Sequence, residues 1–123
     1  MGWKILFAGM CLVLIKTNVL GTEYEIIESN ERRHPLLKTC NGFCDPSVKQ
    51  CVISDFEHED PINSFDDLQS IKRKTTRHEL IHAFLFESGL AQNSDWATNE
   101  EMVDWFAMQF PKLLAAFQDV KCL

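Results

Sequence analysis

The period of apolar and polar positions changes along the chain, and each change marks an element. Residues 5–15 are a continuous apolar run behind Lys4. The run is too short to span a bilayer as a helix, but it has the length of a signal peptide's apolar region or of a buried strand. Residues 18–28 carry Gly21 between two β-prone pieces, which predicts a strand, a bend or bulge, and a second strand. Residues 29–47 are polar and turn-rich, with Asn41-Gly42 and Asp45-Pro46 as breakers. Residues 47–53 alternate and predict another strand, and residues 55–60 form an acidic loop that ends at Pro61.

The period then becomes helical. Ser64 and Asp67 form an S-x-x-D start, no glycine or proline interrupts the chain from there to Ser88, and Gly89 supplies the stop. Leu68, Ile71, Leu80, Ile81, Phe84 and Leu85 give this long helix a core face. A loop over 91–98 follows. Thr98 and Glu101 make a T-x-x-E capping box that opens the next helix, with Met102, Val103, Phe106, Phe110, Leu113, Leu114 and Phe117 as its core face. Pro111 is expected to break or kink that helix and begin a new turn. The expected class is α+β: a small antiparallel sheet of about three strands packed on the long helix, plus a C-terminal helical segment. The likeliest exposed edge of that sheet is 48–53.

Within the long helix lies His78-Glu79-Leu80-Ile81-His82, an H-E-x-x-H pattern. Histidines four apart share a helix face, so both imidazoles reach one metal ion, with Glu79 placed as general base beside the activated water. Zinc lowers the pKa of a bound water to about 7, and a carboxylate takes its proton during attack on a carbonyl, then returns it to the leaving amine. A catalytic zinc needs a third protein ligand, and Glu100, Glu101 and Asp104 are the candidates on the next helix. Glu100 and Asp104 share a face, while Glu101 serves better in the capping box. The assignment is therefore His78, His82 and Glu100 as ligands, Glu101 as fallback, and Asp104 as the acceptor that fixes a ligating histidine's tautomer. Tyr24, His34, His58 and Arg77 are candidates for stabilising an oxyanion. Trp96, Trp105 and the phenylalanines read as core residues, and Glu87 as a helix-surface acid.

Composition narrows the function. A chain of 123 residues makes one domain, with 1–15 as an extension or signal-like segment and 16–123 as the domain proper. Net charge −6 excludes a nucleic-acid-binding surface, and Lys72-Arg73-Lys74 point around the helix as a solvated face. Five cysteines, an odd count without paired CxxC motifs, fit reduced thiols better than a disulfide framework. Cys40, Cys44 and Cys51 lack an obvious fourth ligand for a second metal, for which only His34 or His58 offers itself.

The segments HELIHAFLFESGL at 78–90 and TNEEMVDWFAMQFPKLLAAF at 98–117, with NVLGTEYEI at 18–26, resemble small zinc metallopeptidases of bacteriophages and prophages. The resemblance covers about residues 16–118. HELIHA with NEEMVDWFA is also similar to the thermolysin-type gluzincin pattern of HELTHA with NEAxSDxxG, which implies Glu100 as third ligand and Asp104 as the support of a ligating histidine. Small ImmA/IrrE-type peptidases, which act on repressors, are a looser parallel in size and element order. These resemblances imply a minimal zincin that binds Zn2+ and hydrolyses a peptide or protein substrate; the odd thiol count, and a sequence with nothing that demands export, favour the cytoplasm of a host cell. They do not carry over the substrate-binding residues of the larger enzymes. An exported, disulfide-bearing protein would instead use residues 1–21 as its signal. The alternative function is a non-catalytic zinc-binding regulatory or structural phage protein that binds a host or phage protein, with zinc pinning the two helices together.

Overall fold

The computed structural model describes residues 4–5, 13–57 and 67–123. The expected N-cap at Ser64 and the candidate His58 lie outside them. The α+β class expected from the sequence is the one observed. Strands β1 (Lys4–Ile5), β2 (Val13–Val19), β3 (Thr22–Ser29), β4 (Gly42–Asp45) and β5 (Gln50–Ser54) form one sheet in the order β1-β2-β3-β5-β4. Helix α1 (Leu68–Glu87) packs on it, followed by the one-turn α2 (Leu90–Asn93) and by α3 (Glu100–Asp119). The sheet is mixed, because β3 and β5 run parallel while the other neighbours are antiparallel. Among the described residues no helix is long and apolar enough to cross a membrane.

One expectation about the sheet is met in one of its two forms, and another is corrected. The turn at Gly21 is the bend and not the bulge, a tight hairpin: Leu20 and Gly21 both have positive φ, 51° and 94°, as a two-residue turn of primed type requires. Residues 48–53 are not the edge. β5 lies between β3 and β4, and the turn-rich stretch before it supplies β4 as the edge. Gly42 permits this, since a Cβ there would lie 2.9 Å from both the Thr75 side chain and the Val52 carbonyl oxygen. β4 therefore runs against α1 one turn before Glu79. Val19, Tyr24, Ile26, Cys51 and Ile53 meet Ala83 in the core between sheet and helix.

Asp67 caps α1, accepting from the Ser70 amide at 3.0 Å. Gly89 ends the helix in the left-handed conformation, φ 84°. Glu87 is not the surface acid expected. It accepts from Thr22 Oγ1 at 2.9 Å, Tyr24 Oη at 2.7 Å and Lys49 Nζ at 2.9 Å. A carboxylate in the last turn opposes the helix dipole, and these three donors hold it there, tying the end of α1 to the start of β3.

α3 differs most from the sequence reading. Its N-cap is Asn99, which accepts from the Met102 amide at 2.8 Å, whereas Thr98 Oγ1 donates to the Asp95 carbonyl. The helix also continues through Pro111. Proline has no N–H for the carbonyl four residues back, which is that of Ala107, a fully buried residue. Arg77 Nε donates to that carbonyl oxygen at 2.6 Å. The bond restores the missing donor and fastens α1 to α3. Of the expected core face of α3, Val103 is buried, together with Ala107, while Phe106, Phe110, Leu114 and Phe117 are exposed. Trp96, Trp105 and Phe84 are exposed as well, since the core is filled mainly by the strands.

Two outcomes follow. Arg77→Ala should cost about 1–3 kcal/mol in urea unfolding, and the same change beside Pro111→Ala should cost measurably less, because an alanine amide serves the Ala107 carbonyl. Additive losses would show that the two residues act separately. The three donors hold the Glu87 carboxyl below the usual carboxylate range. A depressed pKa adds stability above the unfolded value, about 4.3, and the gain is lost as pH falls through the folded value. Glu87→Gln should therefore lower Tm at neutral pH, with the gap to the parent closing in acid.

Candidate metal centre

α1 presents His78 and His82 on one face, their ring centroids 5.0 Å apart. α3, held by the Arg77 bond, presents Glu100 and Asp104 one turn apart to the same place. Glu100 Oε2 lies 2.9 Å from His78 Nε2, and Oε1 lies 2.9 Å from His82 Nε2. Asp104 Oδ1 lies 3.2 Å from His78 Nδ1 and accepts from Lys74 Nζ at 3.1 Å. Thus the four residues chosen from sequence for spacing and face are brought together, and Glu101 makes none of these contacts.

Donor atoms of His78, Glu79 and His82 all lie within 4.8 Å of one another, and this group can hold a metal ion. The donor chemistry fits a cation. His78 has a carboxylate oxygen at each nitrogen, and a neutral imidazole can offer N–H to only one of them. The other nitrogen then turns its lone pair toward a carboxylate, an arrangement relieved by a proton or a metal ion. Two Nε2 atoms and one carboxylate converging in this way form a ready ligand set.

Glu79 is buried, and burial pushes its carboxyl up to about 7. His78 lowers it and Glu100 raises it further. Burial also holds His82 below its usual range, against the pull of Glu100. Burial would raise Asp104, but the hydrogen bonds and charges of Lys74 and His78 outweigh it and keep the carboxyl low. Asp104 is thereby an anion able to fix the His78 tautomer.

The site opens into a cavity of about 610 Å³ between α1, α3 and β4, lined by Gly42, Phe43 and Cys44 on the strand side. Cys40 also lines it, a neighbour that sequence spacing could not place there. The other candidates are engaged elsewhere. Tyr24 Oη donates to Glu87, His34 Nδ1 lies 2.8 Å from Ser29 Oγ, and Arg77 serves Ala107. None of the three lines this cavity. Cys40, Cys44, Cys51 and Cys122 are free thiols, and among the described residues no second group of three metal-type donors converges. No protein-family model matches this chain, nor does any curated protein or solved structure.

A divalent transition-metal ion should raise Tm, by the equivalent of about 2.7 kcal/mol when present at a hundred times its Kd, and chelation should reverse the shift. Asp104→Asn should weaken metal affinity about 10–100-fold in a competition titration. Unchanged affinity would mean that Asp104 does not orient His78.

Proposed function

We propose that this chain is a zinc-dependent peptidase in which His78, His82 and Glu100 hold the metal and Glu79 is the general base. One observation carries the reading: a single Glu100 carboxylate touches both Nε2 atoms while a second, buried carboxyl stands beside them. Zinc held there would supply Lewis-acid activation of water and of the scissile carbonyl. The two acids divide the work by environment. Glu100 reaches both Nε2 atoms and is the better placed ligand, while Glu79 is buried beside them, where a carboxylate can serve the water. Glu79 takes the proton of the attacking water and passes it to the leaving amine nitrogen. Asp104, charged and backed by Lys74, keeps His78 oriented throughout.

An extended peptide would add as a strand to β4, whose open edge borders the same cavity. This replaces 48–53 as the expected binding edge. The substrate is a peptide or protein; its sequence is left open by residues of this type.

Glu79→Gln should keep zinc, lose about 10²–10⁴-fold in turnover, and remove the cleavage products that the parent generates in a cell extract, identified by mass spectrometry of new peptide termini. A variant as active as the parent would end the mechanism. Zinc bound equally by both, with no new termini from either, would select the non-catalytic regulatory or structural reading.

A further inference from the structure

Cys44 on β4 and Cys51 on β5 are direct cross-strand partners, and their place in the ladder brings them close. The Ser54 amide donates to the Asn41 carbonyl oxygen at 2.8 Å. That position, one step beyond Gly42 and Ile53, is therefore a hydrogen-bonded pair. Antiparallel pairs alternate, so three steps on Cys44 and Cys51 form a non-hydrogen-bonded pair. In such pairs the Cα atoms approach to about 4.5 Å, within the range of about 4.4–6.8 Å that a disulfide spans. Both side chains lie on the α1 side of the sheet. Cys51 is fully buried, its Sγ 3.5 Å from the Glu79 carbonyl oxygen, and Cys44 packs against the same core cluster. A hydrogen bond with the Cys44 thiol, ahead of burial, holds the Cys51 thiol well above its usual range. The two differ in access. Cys44 lines the cavity of the metal centre, whereas Cys51 behind it has no exposed surface.

We propose that Cys44 and Cys51 form a reversible dithiol site, which a small-molecule disulfide entering the cavity oxidises to a cross-strand disulfide. Cys44 attacks first, because only it is reached from the cavity. Its sulfur bonds to one sulfur of the incoming disulfide, whose S–S bond breaks, and the first thiol leaves with the Cys44 proton. The charge of Cys44, which helps to keep the Cys51 proton in place, is then gone. Cys51 attacks the Cys44 sulfur, the mixed disulfide breaks, and the second thiol leaves with the Cys51 proton. Two protein thiols are oxidised and one small disulfide is reduced to two thiols. Cys40 also lines the cavity, but it precedes β4 and stands outside the register that pairs Cys44 with Cys51. The new bond would clamp β4, the edge strand that walls the cavity, to the interior strand β5. The site is independent of the zinc reading.

The test equilibrates the full chain, without air, in mixtures of reduced and oxidised glutathione, blocks free thiols with N-ethylmaleimide and maps the products by mass spectrometry. Raising the oxidised share should convert the parent to a form lighter by two hydrogen atoms, with Cys44 bridged to Cys51, and excess reduced glutathione should reverse it. Cys40→Ser should behave as the parent does. Cys51→Ser should stop with one glutathione on Cys44. Because a buried hydroxyl can disturb the core, Cys51→Val is run beside it and should stop at the same point. Cys44→Ser should leave the Cys51 thiol unmodified. No bridge at any glutathione ratio, a bridge through any other cysteine, or Cys51 capped as fast as Cys44 would overturn the proposal.

Discussion

The geometry of the site depends on a bond between a side chain and a backbone carbonyl outside it. Pro111 deprives Ala107 of its intrahelical donor, and Arg77 supplies a substitute at 2.6 Å. A buried carbonyl left unpaired costs about 1–3 kcal/mol, so the contact is favoured at one register of α3 along α1. Arg77 immediately precedes His78, and Ala107 lies one turn beyond Asp104. Fixing the first pair therefore sets the second, and Glu100 and Asp104 arrive at the imidazoles rather than a turn away. A proline in mid-helix serves here as a docking point.

Around that contact the structure concentrates like and unlike charge in a small space. Glu100 and Asp104 face His78, and Lys74 balances Asp104 from the outer side. Glu79 lies inside, where burial disfavours its charged form. The three acids thus differ in environment more than in chemistry: one exposed at the mouth, one paired to a lysine, one dry. β4 completes the enclosure, and its approach depends on Gly42 having no side chain. The far end of α1 is tied down by Glu87, whose three donors come from β3 and from the turn before β5. The face of α1 that carries His78 and His82 is held between these two anchors.

Much was legible in the sequence where the governing interactions are local. The spacing of His78 and His82, the uninterrupted run that ends at Gly89, and the shared face of Glu100 and Asp104 follow from 3.6 residues per turn and need no knowledge of the rest. The hairpin at Gly21 was signalled by a residue tolerant of positive φ. These features carried the α+β class and the candidate ligands. Apart from the N-cap of α3, which moves one residue from Thr98 to Asn99, the misreadings concern partners distant in the chain. Glu87 looked like a surface acid because Thr22, Tyr24 and Lys49 are remote in sequence, and Arg77 and Tyr24 looked free for an oxyanion because their acceptors lie on other elements. β4 was hidden in a turn-rich stretch, since pairing with β5 rather than propensity makes it a strand.

The sequence by itself determined that two imidazoles and a glutamate would share one helix face and that acids would follow on the next helix, because helical periodicity is a property of a few neighbouring residues. Only the tertiary structure decided that those acids meet those imidazoles, that β5 is interior and β4 the edge, and that the apolar face of α3 leaves the domain instead of entering its core. Each of these is a choice among partners far apart in the chain. Such choices are settled by which buried carbonyl needs a donor and which surface the core has room to cover, and neither is encoded in a local pattern.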